Sequence, residues 1–164
     1  MLQKGYIKGV GNQTYYLRII NYTNQTWIPY FLQVNSNGKI SHTRDSRNVL
    51  SNFLANSISI APFYLDLYTG GIGRIFYRET FDPTVLKRFT DAVNETDFQC
   101  NHAFIVTYEN MAEYSVHTSR NSFQVALATD GHVTYGLVYY YRVDSYERAA
   151  AGMSSSRPLY TFFL

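Results

Sequence analysis

The sequence predicts an α+β domain, mainly antiparallel β-sheet with hairpins and one amphipathic α-helix packed on it. Aromatic residues make up 17% of the chain, dominated by 16 Tyr and 11 Phe, and flat or β-branched side chains suit a pleated surface. Apolar residues alternate along many short runs, the period of half-buried strands. One segment switches to helical spacing behind a clear start signal.

Strand-like runs fall at 15–20, 28–34, 58–67 and 74–78, then at 103–108, 123–129, 133–143 and 159–164. Between the second and third, Asn37-Gly38 follows Val34-Asn35-Ser36 and precedes Lys39-Ile40-Ser41. Asn-Gly readily supplies the two positive φ angles of a type I′ turn, so a tight hairpin is expected there. The three glycines of Thr69-Gly70-Gly71-Ile72-Gly73 suit a longer reversal; a strand follows them, which argues against a phosphate loop.

The helix is expected from Pro83 to about Glu95. Asp82 can cap the free amides and Pro83, lacking an N–H, fits the first turn. Val85, Leu86, Phe89, Ala92 and Val93 recur at helical spacing, with Lys87, Arg88, Asp91 and Asn94 opposite. Such a stripe must be buried against a sheet.

Asp130-Gly131 offers a second tight turn, pairing 123–129 with 132–138. Phe123, Val125, Leu127 and Val138 then share one face, and Ala126, Tyr135, Leu137 and Tyr139 the other. The first is the candidate for the helix or the main core. The second, where alanines make room for tyrosines, is either covered by another layer or partly open.

A chain of 164 residues with 46% apolar and 16% charged residues reads as one globular domain, and folding at this length buries roughly 70% of the unfolded surface. The net charge of +2 comes from scattered Lys and Arg, which leaves no electrostatic footprint for nucleic acid. No apolar run approaches the roughly 18 residues of a membrane span, and the N-terminus lacks the apolar core of a signal peptide. If the domain is secreted, its leader is missing from this chain. Cys100 is the single cysteine, so neither an intrachain disulfide nor a Cys-based zinc site can form. It is read as a small, partly buried side chain, or else as a thiol whose partner lies outside the chain.

Several strings resemble the nidogen-like domain of nidogen, alpha-tectorin and sushi-nidogen-EGF-type proteins. The best are IAPFYLDLYT from Ile60, IFYRET from Ile75 and NSFQVALATDG from Asn121, with support from VNSNGKIS, FIVTYENMAEY and AAAGM. The resemblance covers about 15–164, and residues 1–164 are expected to form a single such domain belonging to a longer protein. Tyr64, Tyr108 and Tyr146 stand where the family tends to have tryptophan. Tyr68 replaces a common acidic residue, which weakens a metal site at Asp66. The resemblance implies an extracellular, secreted or cell-surface setting and a non-catalytic role in cell–matrix adhesion or matrix protein binding. Matrix or cell-surface proteins are the implied partners. It implies no enzyme and no cofactor.

Asn12, Asn21, Asn24 and Asn94 each begin an N-x-Ser/Thr sequon and are candidate glycosylation sites in a secreted chain. His42, His102, His117 and His132 lack metal-ligand spacing. His102 beside Cys100 invites a nucleophile–base reading, but sequence supplies no third orienting group. A glycosidase needs two carboxyls on one sugar, and Asp66, Glu79 and Asp130 are the candidates. Each also has a structural reading: Asp130 in its turn, Glu79 paired with Arg78 or Arg74, and Asp66 accepting backbone hydrogen bonds beside the glycine turn. Tyr135, Tyr139 and Tyr141 line one strand face as a candidate interaction surface for protein or glycan, or as inter-sheet packing. Adhesion is the leading function, a glycan-binding module the alternative, and a carboxylate-dependent hydrolase a distant third.

Overall fold

The computed structural model describes residues 5–7, 13–16, 31–41, 59–147, 149–154 and 160–163. Among them run β1 (Gly5–Ile7), β2 (Gln13–Tyr16), β3 (Phe31–Val34), β4 (Ile40–Ser41), β5 (Ser59–Tyr64), β6 (Leu67–Tyr68) and β7 (Arg74–Thr80). The helix α1 (Pro83–Val93) follows, then β8 (His102–Glu113), β9 (Asn121–Thr129), β10 (Thr134–Arg142), β11 (Ala150–Ser154) and β12 (Tyr160–Phe163). The expected α+β, largely antiparallel architecture is the one observed. The runs expected at 15–20 and 28–34 correspond in part to β2 and β3, and 17–30 lies outside the described residues.

Two sheets form. In the first the order is β1-β7-β8-β9-β10, with β6 also pairing with β8; in the second it is β12-β11-β5-β4-β3-β2. Alternation along β8 and β9 sends Phe104, Val106, Tyr108, Phe123 and Val125 to one face, where they meet Val34, Ile40, Phe63 and Leu65 of the other sheet's side. Burying side chains of this size contributes about 1.5–3 kcal/mol each. The Phe123 face is therefore the main core.

The opposite face of β8 and β9 carries Ala103, Ile105, Ala126 and Ala128, and α1 lies over it with Leu86 and Phe89. Small alanines let the helix approach closely while its large side chains fill the space. Asp82 caps α1 by accepting from the Thr84 N–H at 2.8 Å. The helix ends two residues before the expected point, because Asn94 turns left-handed (φ 55°) and its N–H closes on the Thr90 carbonyl. Ala92, expected on the buried stripe, is exposed; Val85 and Val93 are half-buried.

The Asn37-Gly38 hairpin is present but is not type I′. Gly38 has a φ of 77°, while Asn37 is absent from the positive-φ residues. The Asn35 carbonyl accepts from the Gly38 N–H at 3.2 Å, and the Asn35 N–H donates to the Lys39 carbonyl at 2.8 Å. This is the pattern of a three-residue loop with a bulged glycine. A Cβ on Gly38 would lie 1.9 Å from the Phe63 carbonyl oxygen, so glycine is required by packing as well as by φ. The second hairpin pairs Thr129 with Thr134, two residues beyond the expected register. Gly131, at φ 98°, and His132 form its tip. A shift of two preserves every side chain's face.

Candidate interaction surface

Strands β6, β7, β8, β9 and β10 bring one set of ends together: Leu67 pairs with Glu113, Arg74 with Glu109, Met111 with Asn121, and Arg142 with Ser122. Three connections meet at this rim, namely the glycine loop 69–73, the loop 114–120 and the segment 143–147. Tyr68 stacks on His117 with ring centres 4.5 Å apart, and both meet Tyr114 edge-on at 6.1 and 6.2 Å. The Tyr68 ring also folds over Gly70, where a Cβ would lie 2.2 Å from its hydroxyl. Tyr114 is 62% exposed and Tyr146 76%.

Buried polar groups anchor the backbone that carries these rings. Glu113, 1% exposed, accepts from the Tyr146 N–H through Oε1 at 2.8 Å, and its own N–H donates to Ser119 Oγ at 2.8 Å. Asn121 donates to the Met111 carbonyl and accepts from the Asp144 N–H at 2.9 Å. The Asp66 carbonyl accepts from the Tyr114 N–H at 2.8 Å. A backbone held this way has little freedom left to lose when a partner covers the rim.

The candidate tyrosines do not form one row. A bulge between Tyr140 and Arg142 interrupts the alternation before Tyr141. Tyr135 is half-buried, its ring edge-on to Phe98 at 4.8 Å, beside the helix-side core. Tyr139 and Tyr141 are exposed. Tyr140 lies on the other face and donates its hydroxyl to the Pro62 carbonyl at 2.5 Å, joining the two sheets.

Two of the three carboxylates, Asp66 and Glu79, also part from expectation. Asp66 is exposed, and its backbone carbonyl, not its carboxylate, makes the bond to Tyr114. Glu79 points away from Arg74 and Arg78, because alternation puts both on the opposite face of β7. Its neighbour is His102, with Oε2 3.8 Å from Nε2. Asp130 accepts from the His132 and Val133 N–H groups at 2.7 and 2.8 Å, which hold its carboxyl below the usual value. The turn reading of Asp130 thus matches the contacts. Asp66 sits by Tyr114, while Glu79 sits by Phe104; the intervening strand spans about 30 Å at roughly 3.3 Å per residue. That is far beyond the spacing of a paired acid and base.

Burial lowers the His102 ring from its ordinary 6.5, with Glu79 pulling the other way. Phe81 stacks on the ring at 4.7 Å. Cys100 Sγ meets the His102 carbonyl, not its imidazole, and burial pushes the thiol up, which removes the basis for a nucleophile–base pair. Among the described residues no group of three or more His, Cys, Asp or Glu could hold a metal, and no helix is long and apolar enough to cross a membrane. Asn94 is exposed; Asn12, Asn21, Asn24 and His42 lie outside the described residues.

Among the described residues, a β domain of two sheets with one helix on its back and an aromatic rim at one end is the class this geometry defines. The chain belongs to the nidogen-like domain family, whose model matches residues 30–157. It is 37% identical over 141 residues to alpha-tectorin of Mus musculus, covering 76% of this chain and 6% of that protein. Nidogen-1 of Homo sapiens is 33% identical over 94 residues, 50% of this chain and 8% of that protein. Nidogen-2 of Mus musculus is 34% identical over 127 residues, 66% and 9% respectively. The chain thus spans less than a tenth of each of these relatives. No solved structure matches it.

Proposed function

We propose that this domain is a non-catalytic extracellular interaction module that binds matrix or cell-surface proteins in cell–matrix adhesion. The observation that carries the reading is the rim formed by Tyr68, Tyr114, His117 and Tyr146, where three of the rings pack on one another and buried Glu113 and Asn121 anchor the backbone of segment 143–147. Tyrosine offers a large flat face with a polar tip, the chemistry of interface anchors. Tyr141 and Tyr139 extend the surface along the edge strand. Its relatives alpha-tectorin and the nidogens are extracellular matrix proteins, which supports the same setting. Asp66 lies at the far end of β8 from Glu79 and Asp130, and Asp130 is engaged by the His132 and Val133 N–H groups, which supports a role without catalysis.

In a secreted chain Asn94 is a glycan acceptor, since its left-handed cap leaves the side chain on the exposed end of α1. Asn12, Asn21 and Asn24 are further acceptors on sequon grounds.

The test is to secrete the domain behind a heterologous leader and measure its binding to immobilised matrix proteins and, separately, to a glycan array. Saturable binding to a protein supports the reading. Binding confined to glycans favours the alternative module, for which the stacked rings are a suitable sugar platform.

A further inference from the structure

The chain holds one Asn-Gly pair, Asn37-Gly38. In an open chain this pair is prone to cyclise, because glycine has no Cβ to keep its backbone nitrogen from the preceding side-chain amide. Here the tip carrying it is buried. Asn37 is 2% exposed, its Oδ1 accepts from the Leu67 N–H at 3.2 Å, and its carbonyl accepts from the Leu65 N–H at 3.3 Å. The Asn37 N–H donates to Asn35 Oδ1 at 2.8 Å. The Gly38 N–H, which would be the nucleophile, is engaged with the Asn35 carbonyl at 3.2 Å.

We propose that Asn37-Gly38 is a deamidation site that the fold holds shut and that opening of the β3–β4 hairpin releases. In the opened chain the Gly38 nitrogen attacks Asn37 Cγ. The new C–N bond replaces the Cγ–Nδ2 bond, the displaced proton leaves with ammonia, and a succinimide remains. Water then adds at one of its two carbonyls and that carbonyl's C–N bond breaks, the nitrogen taking up a proton: attack at Cγ gives aspartate at position 37, attack at the backbone carbonyl gives isoaspartate. No oxidant or cofactor enters the balance.

The product does not return to the native site. Asn37 Nδ2 is buried with no hydrogen-bond partner, so the carboxylate oxygen that replaces it carries charge into an unpartnered position. Isoaspartate also adds a backbone atom just before Gly38, where the Phe63 carbonyl leaves no room even for a Cβ. Opening is thereby recorded as a one-way chemical mark. This inference rests on the hairpin alone and is independent of the binding reading.

The experiment incubates the secreted domain, native and in urea, at mildly alkaline pH and body temperature, and follows position 37 by peptide mass mapping with isoaspartate detection. Reaction in the native protein is expected to be at least about tenfold slower than in urea, because it requires local opening. Equal rates would overturn the gate. Protein aged in urea is then diluted to refold; product is expected in the chains that stay unfolded, and Asn37→Asp is expected to unfold at lower urea than the parent. Aged chains and Asn37→Asp that regain the parent midpoint would overturn the one-way step.

Discussion

The hydroxyl of Tyr108 donates to the backbone carbonyl of Asn35 at 3.0 Å, tying the centre of one sheet to the hairpin tip of the other. Tyr108 is fully buried and stacks on Phe123 with ring centres 4.5 Å apart. Burial drives its phenol well above the usual value, so the group stays a donor at any pH the protein meets. Tyr108→Phe keeps the stack and removes the donor, while the Asn35 carbonyl keeps the Gly38 N–H. The expected cost is about 0.5–1.5 kcal/mol, read as a lower urea midpoint; an unchanged midpoint would count against the tie.

The helix side rests on Phe89, which is 6% exposed and packs in the cluster with Leu86, Ile105 and Ala126. Phe89→Ala is expected to cost about 3–5 kcal/mol, measured by equilibrium unfolding. A loss below about 1 kcal/mol would mean the ring is not a core anchor.

Much of this half of the fold was legible in the sequence. Asp82-Pro83 and the spacing of Leu86 and Phe89 specify α1 locally, and the alternation of Phe123, Val125 and Leu127 specifies both faces of β9. Strand β11 was not legible, since Ala150, Ala151 and Gly152 disfavour strands; β5 and β12 pair with it from both sides and decide its state. The rim was hidden for another reason. Tyr68, Tyr114, His117 and Tyr146 come from separate connections that meet only after the strands register. Asn121 heads one of the strings that resemble the nidogen-like family and Glu113 falls in another, FIVTYENMAEY, but that string does not mark what Glu113 does. Its role as a hydrogen-bond hub depends on Ser119 and Tyr146 being folded back onto it. The break in the row of Tyr135, Tyr139 and Tyr141 comes from a bulge that a period-2 reading does not show.

Acid is expected to weaken the fold through His102. Its folded pKa lies below the ordinary 6.5 because burial outweighs the pull of Glu79. The unfolded chain therefore takes up this proton first as pH falls. The His102 contribution is complete above about 6.5 and is lost progressively below it, through the lowered folded value. Urea midpoints measured from about pH 7.5 to about pH 5 should fall, less steeply for His102→Gln. An NMR titration placing the His102 ring at about 6.5 would remove the effect, and one placing it above about 6.5 would reverse the sign.

The central claim is that the exposed aromatic rim is where the domain meets its partner. The direct measurement is the affinity of Tyr114→Ala/Tyr146→Ala for the matrix protein that the parent domain binds, with the urea midpoint measured alongside. Both rings are largely exposed, so folding should be nearly unchanged, while anchors of this type cost about 2 kcal/mol or more on truncation, a loss of roughly thirtyfold or more in affinity. A stable double variant that binds as tightly as the parent would contradict the account.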